Sequence, residues 1–337
     1  MVGPLSDTIG RRPVLLPSLA IFTFASFACV YAPNTEAFMT LRVIQAFSAC
    51  AMVVARAIVR DTNDTMTSGS KIAYISMGMA VTPMFAPALG GALDGWFGWQ
   101  ANFWMIGGFG TLIWIITYFD QGKTVPVKTT GFIKQFSEYP ELITSRRFWG
   151  YCSASAFSAG FFFAYLGGGP FVGSVVFDLT PEKLGIYFGA PAIGYFTGNF
   201  LSGRYTTRFG IDPMILWGLS IIFVGMSLSL ICAYLGYSSV EGFFGFMIFI
   251  GLSNGLCIPN ATAGMLSVRP YLAGAASGLG GSISIAGGAA LSTLAGVLLV
   301  PGSTELPLLL LMWTSSLCGV GIILSLRRRN KMLQINI

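Results

Sequence analysis

Long apolar runs separated by short polar turns make up most of this chain. A helix needs about 20 apolar residues to cross the hydrocarbon core of a bilayer, and these runs are too long and too continuous for barrel strands. The pattern predicts about ten complete membrane-spanning helices, at 13–32, 36–58, 73–93, 102–119, 151–171, 184–203, 213–235, 241–262, 272–299 and 306–326. The run 272–299 is glycine-rich and overlong, so we expect it to be tilted or broken. The chain is thus predicted to be an all-α polytopic membrane protein.

The composition supports lipid as the solvent of this chain. Charged residues make up 9% of 337 positions and hydrophobic residues 54%, whereas a soluble domain carries about 25% charged residues. So little charge cannot cover a globule that faces water. The 43 glycines and 28 phenylalanines suit closely packed helices with bulky side chains toward lipid.

The basic residues lie in alternate loops. One set of loops and the C-terminal tail carry most of the basic residues, namely Arg11, Arg12, Arg60, Lys71, Lys123, Lys128, Lys134, Arg146, Arg147, Arg204, Arg208, Arg269, Arg327, Arg328, Arg329 and Lys331. The opposite loops carry only Lys183. Because lysine and arginine concentrate in cytoplasmic loops, we expect the Arg11–Arg12 turn and the C-terminus to be cytoplasmic. The net charge of +6 is therefore a topology signal, and we expect no nucleic-acid partner.

The longest polar stretch, 120–150, divides the chain into unequal parts. It separates an N-terminal helical part, 1–119, from a C-terminal one, 151–326, which is followed by a basic tail, 327–337. Within the stretch, 131–136 fits either a short amphipathic helix on the inner surface or a plain linker.

Catalytic and metal chemistry find little support in the sequence. The chain has no histidine, which removes the usual general base, most zinc sites and hydrolases of the Ser-His-Asp type. The six cysteines stand singly in apolar runs, as packing residues do. A membrane-embedded enzyme would need catalytic side chains clustered at one membrane depth, and none is visible. We expect no enzyme activity, metal or cofactor.

Two cytoplasmic turns resemble each other. Residues 5–12 read LSDTIGRR, and 201–204 and 208–210 read LSGR and RFG. Each turn precedes a span that begins at a proline, Pro13 or Pro213, as in carriers built from two repeated halves. Two spans precede the second copy and almost nothing precedes the first, so we expect helix 1 and most of helix 2 to be missing. Chance similarity between short Gly/Arg turns is the alternative.

Several motifs resemble those of the major facilitator superfamily. Residues 3–15, GPLSDTIGRRPVL, are similar to its signature loop between the second and third helices. The runs 41–46 and 56–61 resemble its fourth-helix motif, and 83–91, PMFAPALGG, its exporter motif in the fifth helix. The runs 259–261 and 273–277 look like matching stretches of helices 10 and 11. Together they resemble the Bcr/CflA branch of drug–proton antiporters, which implies a fold of two six-helix halves.

The signature loop implies a gate at the inner surface, formed by Gly3, Asp7, Gly10, Arg11 and Arg12. By the resemblance, Asp7 pairs with a cation at the inner end of the fourth helix, Arg56 or Arg60, which Asp61 follows. Such a contact forms in one access state and breaks in the other. The alternative is a turn of solvated charges that only sets topology.

Arg42 is a charged residue within the span 36–58. A charge at membrane depth is costly and by default implies function, and Gln45 lies one turn further along the same face as a polar partner. The alternative is that the Arg42 side chain extends to the outer surface.

The exporter motif Pro83, Pro87, Gly90 and Gly91 predicts a helix with a flat face of small residues. That face permits close packing, by the resemblance against a helix of the second half. The alternative is ordinary small-residue packing.

The substrate cavity is expected to have an uncharged lining. Candidates for that lining are Phe157, Tyr165, Tyr195, Asn199, Asn254 and Asn260. Packing or lipid-facing roles are the alternative for the aromatic residues.

All 13 carboxylates fall in loops or near span ends. A proton-coupled carrier needs a titratable group whose pKa changes with access, and we expect that group in the missing first helix. The leading hypothesis is proton-coupled efflux of drugs or small metabolites by a monomer in the bacterial inner membrane, with a small-molecule substrate, protons and the lipid bilayer as partners. An uptake symporter of the same fold and a truncated remnant without transport are the alternatives.

Overall fold

The computed structural model describes residues 10–48, 51, 54–55, 58, 86–120, 139–269 and 273–332. The chain divides into two compact units, Met1–Met79 with Ala92–Phe136 and Ala80–Gly91 with Ser137–Ile337. Every regular element within these described ranges is helical.

The first unit is built around two long helices and one short one. Its elements are α1 (Arg11–Val30), α2 (Thr35–Gln45), residues 92–97 of α3 (86–97) and α4 (Gln100–Asp120). The Asn34 side chain caps α2 by accepting a 2.8 Å hydrogen bond from the Ala37 amide. Helix α4 packs closely on α1 because Gly107 leaves no side chain there; a Cβ atom at this position would lie 2.5 Å from the Phe27 ring.

The second unit holds the larger core. Its helices, besides residues 86–91 of α3, are α5 (Tyr139–Ile143), α6 (Arg146–Phe171), α7 (Pro181–Phe188), α8 (Ala190–Phe209), α9 (Ile211–Tyr234), α10 (Val240–Phe246), α11 (Ile248–Val268), α12 (Ala273–Leu298) and α13 (Leu306–Met332). A π-helical turn, Val172–Val176, extends α6. Helix α6 supplies the fully buried rings of Phe148, Tyr151, Phe161 and Tyr165. It packs against α11, α12 and α13 and is therefore the central helix of this unit.

Three of the predicted spans are interrupted in the structure. The described part of 36–58 ends its α-helix at Gln45 and tightens into a 3₁₀ turn, Ala46–Ser48. The span 184–203 is divided at Gly189, where α8 starts anew with Pro191 in its first turn; the proline has no amide hydrogen to continue the ladder of α7. The span 241–262 is likewise divided at Met247.

Of the two alternatives predicted for 272–299, tilted or broken, the break is wrong for the described residues 273–298, and the tilt stays a prediction. Helix α12 runs without interruption from Ala273 to Leu298; Gly280 and Gly288 pack against Met265 and Phe163, whereas a Cβ atom at Gly278, Gly281 or Gly296 would meet open space. Residues 273–298 are therefore an ordinary long helix.

Seven helical segments within the described ranges are long and apolar enough to cross a membrane. The predicted spans absent from this set are 36–58, 73–93 and 184–203. The stretch 73–85 and the linker residues 121–138, including 131–136, lie outside the described residues. Helix α8 has 20 residues, but Arg204 and Arg208 make its second half polar.

The repeated turns have matching backbones. Gly10 (φ 103°, ψ 158°) and Gly210 (φ 88°, ψ 168°) each stand immediately before a long helix, α1 or α9. A positive φ of this kind costs a glycine little and other residues much. Both helices begin two residues before the predicted proline, Pro13 or Pro213. A proline is tolerated there, because the amides of the first turn have no intrahelical partner.

Candidate functional site

Arg42 is part of a hydrogen-bonded chain in the first unit. Its guanidinium donates to the Gln45 Oε1 atom, and the Gln45 amide donates to the Ser26 hydroxyl at 2.7 Å. Ser26 in turn donates to the Phe22 carbonyl within α1 at 2.7 Å. Gln45 is 5% exposed and Ser26 fully buried, so these hydrogen bonds connect the guanidinium of Arg42, itself an exposed residue, to two buried polar groups of the unit. The predicted polar contact on one helix face is present.

An aromatic ring covers the other side of the arginine. The Arg42 Cζ atom lies 5.5 Å from the centre of the Phe103 ring in α4, a cation–π distance. Within the described residues no carboxylate forms an ion pair with it. The site therefore presents one fixed positive charge with a polar and an aromatic support.

The glycine turn before α1 positions two arginines differently. Arg11 is buried, with 3% exposure. Arg12 donates a 2.8 Å hydrogen bond to the backbone carbonyl of Tyr118 in α4, and its Cζ atom lies 5.4 Å from the centre of the Tyr118 ring. Of the predicted gate, Gly3 and Asp7 lie outside the described residues, as do Arg56, Arg60 and Asp61. Their pairing stays a prediction.

Helix α3 and helix α7 meet through backbone atoms inside the second unit. A Cβ atom added to Gly91 would lie 2.4 Å from the Pro181 carbonyl oxygen, and one added to Gly185 would lie 2.4 Å from the Pro87 carbonyl oxygen. Only glycine allows this approach. Gly90 is partly buried beside the contact, and Pro83 lies outside the described residues. The partner helix α7 lies in the C-terminal stretch of the chain, and the exporter role of the motif stays a prediction.

Two predicted cavity residues, Asn254 and Asn260, are used in helix packing. Asn254 accepts a 2.7 Å hydrogen bond from Ser158. Asn260 donates to Ser202 at 2.8 Å and accepts from Thr206 at 2.9 Å. Both are at most 4% exposed. In this structure they join helices, and their contact with a substrate stays a prediction.

The other candidates divide by exposure. Tyr165 is fully buried and donates to the Phe188 carbonyl at 3.1 Å while its ring stacks on Phe188. Tyr195 and Asn199 are partly exposed on α8, with the Asn199 amide bonded to the Tyr195 carbonyl at 2.7 Å. Phe157 borders an open groove between α6 and α13. Phe157, Tyr195 and Asn199 are therefore the candidates with surface left for a ligand.

Asp212 is a buried carboxylate that the sequence did not single out. It is 9% exposed and accepts hydrogen bonds from the Tyr151 hydroxyl at 2.7 Å and the Asn330 amide at 2.8 Å. Its place, two residues after Gly210, matches that of Arg12 after Gly10. The repeated turn is therefore the sequence signal from which Asp212 could have been found.

The comparisons with known proteins agree with this arrangement. The family model described as Major Facilitator Superfamily matches residues 1–293. The chain belongs to the Major Facilitator Superfamily.

Relatives in this superfamily carry drug-resistance names. The bicyclomycin resistance protein homolog of Haemophilus influenzae is 26% identical over 299 residues, which are 87% of this chain and 74% of that protein. Multidrug resistance protein D of Escherichia coli is 26% identical over 346 residues, 96% of this chain and 80% of that protein. The chloramphenicol resistance protein of Pseudomonas aeruginosa is 29% identical over 280 residues, 81% and 65% respectively. They confirm the resemblance to drug-resistance transporters of the superfamily.

Solved structures of major facilitators share the fold. A crystal structure of the nucleoside transporter NupG has a TM-score of 0.76 at 13% identity and covers 96% of this chain and 86% of its own. An inward-facing bacterial homolog of the human lysosomal transporter Spinster has a TM-score of 0.70 at 17% identity, covering 96% and 82%. The major facilitator fold is thereby confirmed, and the chain is a multi-pass secondary transporter.

Proposed function

We propose that this transporter exports drugs or small metabolites across the bacterial inner membrane in exchange for protons, by alternating access. The relatives named for resistance to bicyclomycin, chloramphenicol and multiple drugs support both the substrate class and the outward direction. The observation that carries the coupling is Arg42, a charge in an otherwise apolar stretch that Gln45, Ser26 and Phe103 hold in place.

A fixed arginine is suited to proton release. Its guanidinium stays protonated at every physiological pH, so Arg42 does not itself carry the coupled proton. A positive charge within about 4–6 Å of a carboxylic acid favours the ionised form and lowers its pKa. A carboxylic acid brought close to Arg42 in one access state would therefore lose its proton there and regain it in the other.

The contact between α3 and α7 has the properties of a seal. Proline carbonyls packed directly against the glycine backbones leave no room for a file of water molecules beside Gly91 and Gly185. A carrier that maintains a proton gradient needs such tight packing on the closed side. We assign this role to Pro87 and Gly91, with Pro83 and Gly90 as their neighbours in the motif.

The remaining parts of the proposal concern topology and the gate. The basic loops and tail are cytoplasmic, Asp7 forms the gate with Arg56 or Arg60, and the substrate contacts include Tyr195 and Asn199. The transporter acts as a monomer.

Proton efflux from inside-out membrane vesicles tests the proposal. Vesicles that carry the full chain are acidified inside by respiration, and chloramphenicol or bicyclomycin is added outside while a pH-sensitive dye is followed. An antiporter takes up drug as protons leave, so the dye recovers its fluorescence. Arg42→Gln keeps the size and removes the charge. It should slow that recovery at least about tenfold, equivalent to about 1.4 kcal/mol in the barrier.

Arg208→Gln is the matched control, since Arg208 is exposed on α8 in the second unit; its recovery rate should equal that of the unchanged chain. An uptake symporter would give no drug-induced loss of the proton gradient in these vesicles. It would instead accumulate the drug in whole cells. Equal rates for Arg42→Gln and the unchanged chain would refute the role of Arg42.

A further inference from the structure

A groove of about 640 Å³ runs between α6 and α13 in the second unit. Trp149, Ser153 and Phe157 line it on α6, and Gly321 and Ser325 on α13. The spacing of four residues places each set on one helix face. The walls are apolar or weakly polar, and none of the residues that line it is acidic.

Two arginines close one end of the groove. Arg146 and Arg329 border both the groove and an adjoining polar pocket of about 380 Å³. In that pocket Glu141 is already paired with Arg269 at 2.8 Å. Within the described residues, the side chains of Arg146 and Arg329 make neither a hydrogen bond nor an ion pair. Two uncompensated guanidinium groups therefore lie where the apolar groove meets the polar pocket.

The position of the arginines matches the edge of the hydrocarbon core. Helix α13 is free of charge from Leu306 to Leu326, and its charges begin at Arg327. From Arg329 back to Cys318 the groove covers about 16 Å of helix axis, at about 1.5 Å per residue. That is close to the depth of one leaflet, about half of a 30 Å hydrocarbon core. The groove thus has a charged end at the lipid headgroup level and an apolar body at the depth of the acyl chains.

We propose that this groove binds one anionic phospholipid. The phosphate lies on Arg146 and Arg329, whose planar donor groups suit phosphate oxygens, and an acyl chain lies along Phe157 and Gly321. The charge pattern favours a lipid with net negative charge over a zwitterionic one, because no acidic residue at the groove would bind a cationic headgroup. The site is separate from the proposed transport function and concerns the lipid environment of the second unit.

Lipid retention by the purified full chain tests the headgroup contact. Native mass spectrometry in detergent measures phosphatidylglycerol binding against phosphatidylcholine. The double change Arg146→Gln with Arg329→Gln should weaken phosphatidylglycerol binding about thirtyfold, since each basic residue near a lipid surface contributes a factor of about five. Phosphatidylcholine binding should stay unchanged. Arg204→Gln with Arg208→Gln removes the same charge from exposed positions of α8 and should leave both lipids unaffected.

A second variant tests the acyl-chain contact. A Cβ atom at Gly321 meets no atom within 4 Å, so Gly321→Phe places a ring at an open position of the groove and should also displace phosphatidylglycerol. Inorganic phosphate at the same concentration should neither compete with the lipid nor raise the unfolding temperature. If phosphate competes, or if only the arginine change has an effect, the site binds free anions and the proposal is wrong. It is equally wrong if the arginine change has no effect, or if the control pair matches it.

Discussion

Arg12 and Asp212 occupy matching places in the two units and carry opposite charges. Each lies two residues after a glycine with positive φ and contacts the last long helix of its unit. Arg12 donates to the Tyr118 carbonyl of α4, whereas Asp212 accepts from Asn330 of α13. The same turn thus fastens two helices together through a cation in one unit and through an anion in the other.

Asp212→Ala should destabilise the second unit. It leaves the Tyr151 hydroxyl without its acceptor and the Asn330 amide with only its 3.3 Å bond to that hydroxyl, and a buried polar group left unsatisfied costs about 1–3 kcal/mol. We expect a lower unfolding temperature in detergent, measured by tryptophan fluorescence.

Asp212→Asn retains an acceptor oxygen and should lower the unfolding temperature less than alanine does. Glu182→Ala, at an exposed position, is the matched control. An unfolding temperature for Asp212→Ala equal to that of this control would show that the hydrogen bonds contribute nothing.

Individual residues were predictable where both partners lie close in sequence. The Arg42–Gln45 contact follows from helical spacing alone. The bonds of Asp212 and Asn254 do not, because their partners are 61 to 118 residues away. An asparagine that faces a cavity and one that joins two helices also look the same in a sequence, since both need a polar partner in an apolar run.

Helices α8 and α11 approach each other along a seam of glycines. Cβ atoms added to Gly194 and Gly251 would lie 1.9 Å and 1.6 Å from the carbonyl oxygens of Ile248 and Pro191. Such contacts bring the backbones closer than the usual 8–10 Å between helix axes. The hydrogen bonds of Asn260 to Ser202 and Thr206 then join the same two helices.

Gly251→Ala should therefore be poorly tolerated. The added methyl group overlaps the Pro191 carbonyl, and relief requires α8 and α11 to separate. Overpacking of this kind costs about 1–3 kcal/mol or more. Gly278→Ala is the matched control, because a Cβ atom at Gly278 has open space.

The measurement is the fraction of each variant that remains monodisperse after heating in detergent. We expect a marked loss for Gly251→Ala and none for Gly278→Ala. Equal fractions for the two would mean that the seam is loose enough to admit a side chain.

Most helices were predictable from hydropathy, and the interruptions were not. A window of about 20 residues detects the apolar stretch, but it does not register a single residue such as Gly189 or Met247 at which one helix ends and another begins. At neither break does a side chain cap the new helix, so the breaks depend on how the helices pack.

For the transporter as a whole, the charge distribution predicts that the C-terminus and the turn at 236–240 lie on opposite sides of the membrane. Fusion of a reporter active only in the cytoplasm after Ile337 should give signal. The same reporter inserted after Tyr237 should give none. A reporter active only outside should show the reverse. Signal from both positions with one reporter would contradict the proposed layout.

The opposite charges at the two glycine turns limit how the halves can be recombined. A transporter engineered from two copies of the C-terminal half would place a carboxylate in both turns. Each copy would then need its own tyrosine and asparagine to donate hydrogen bonds to that carboxylate. A chimera that exchanges only the turn would bring Asp212 toward the carbonyl oxygen of Tyr118, where two acceptors repel. Grafting between halves is therefore expected to succeed only when the turn is transferred together with the last helix that it contacts.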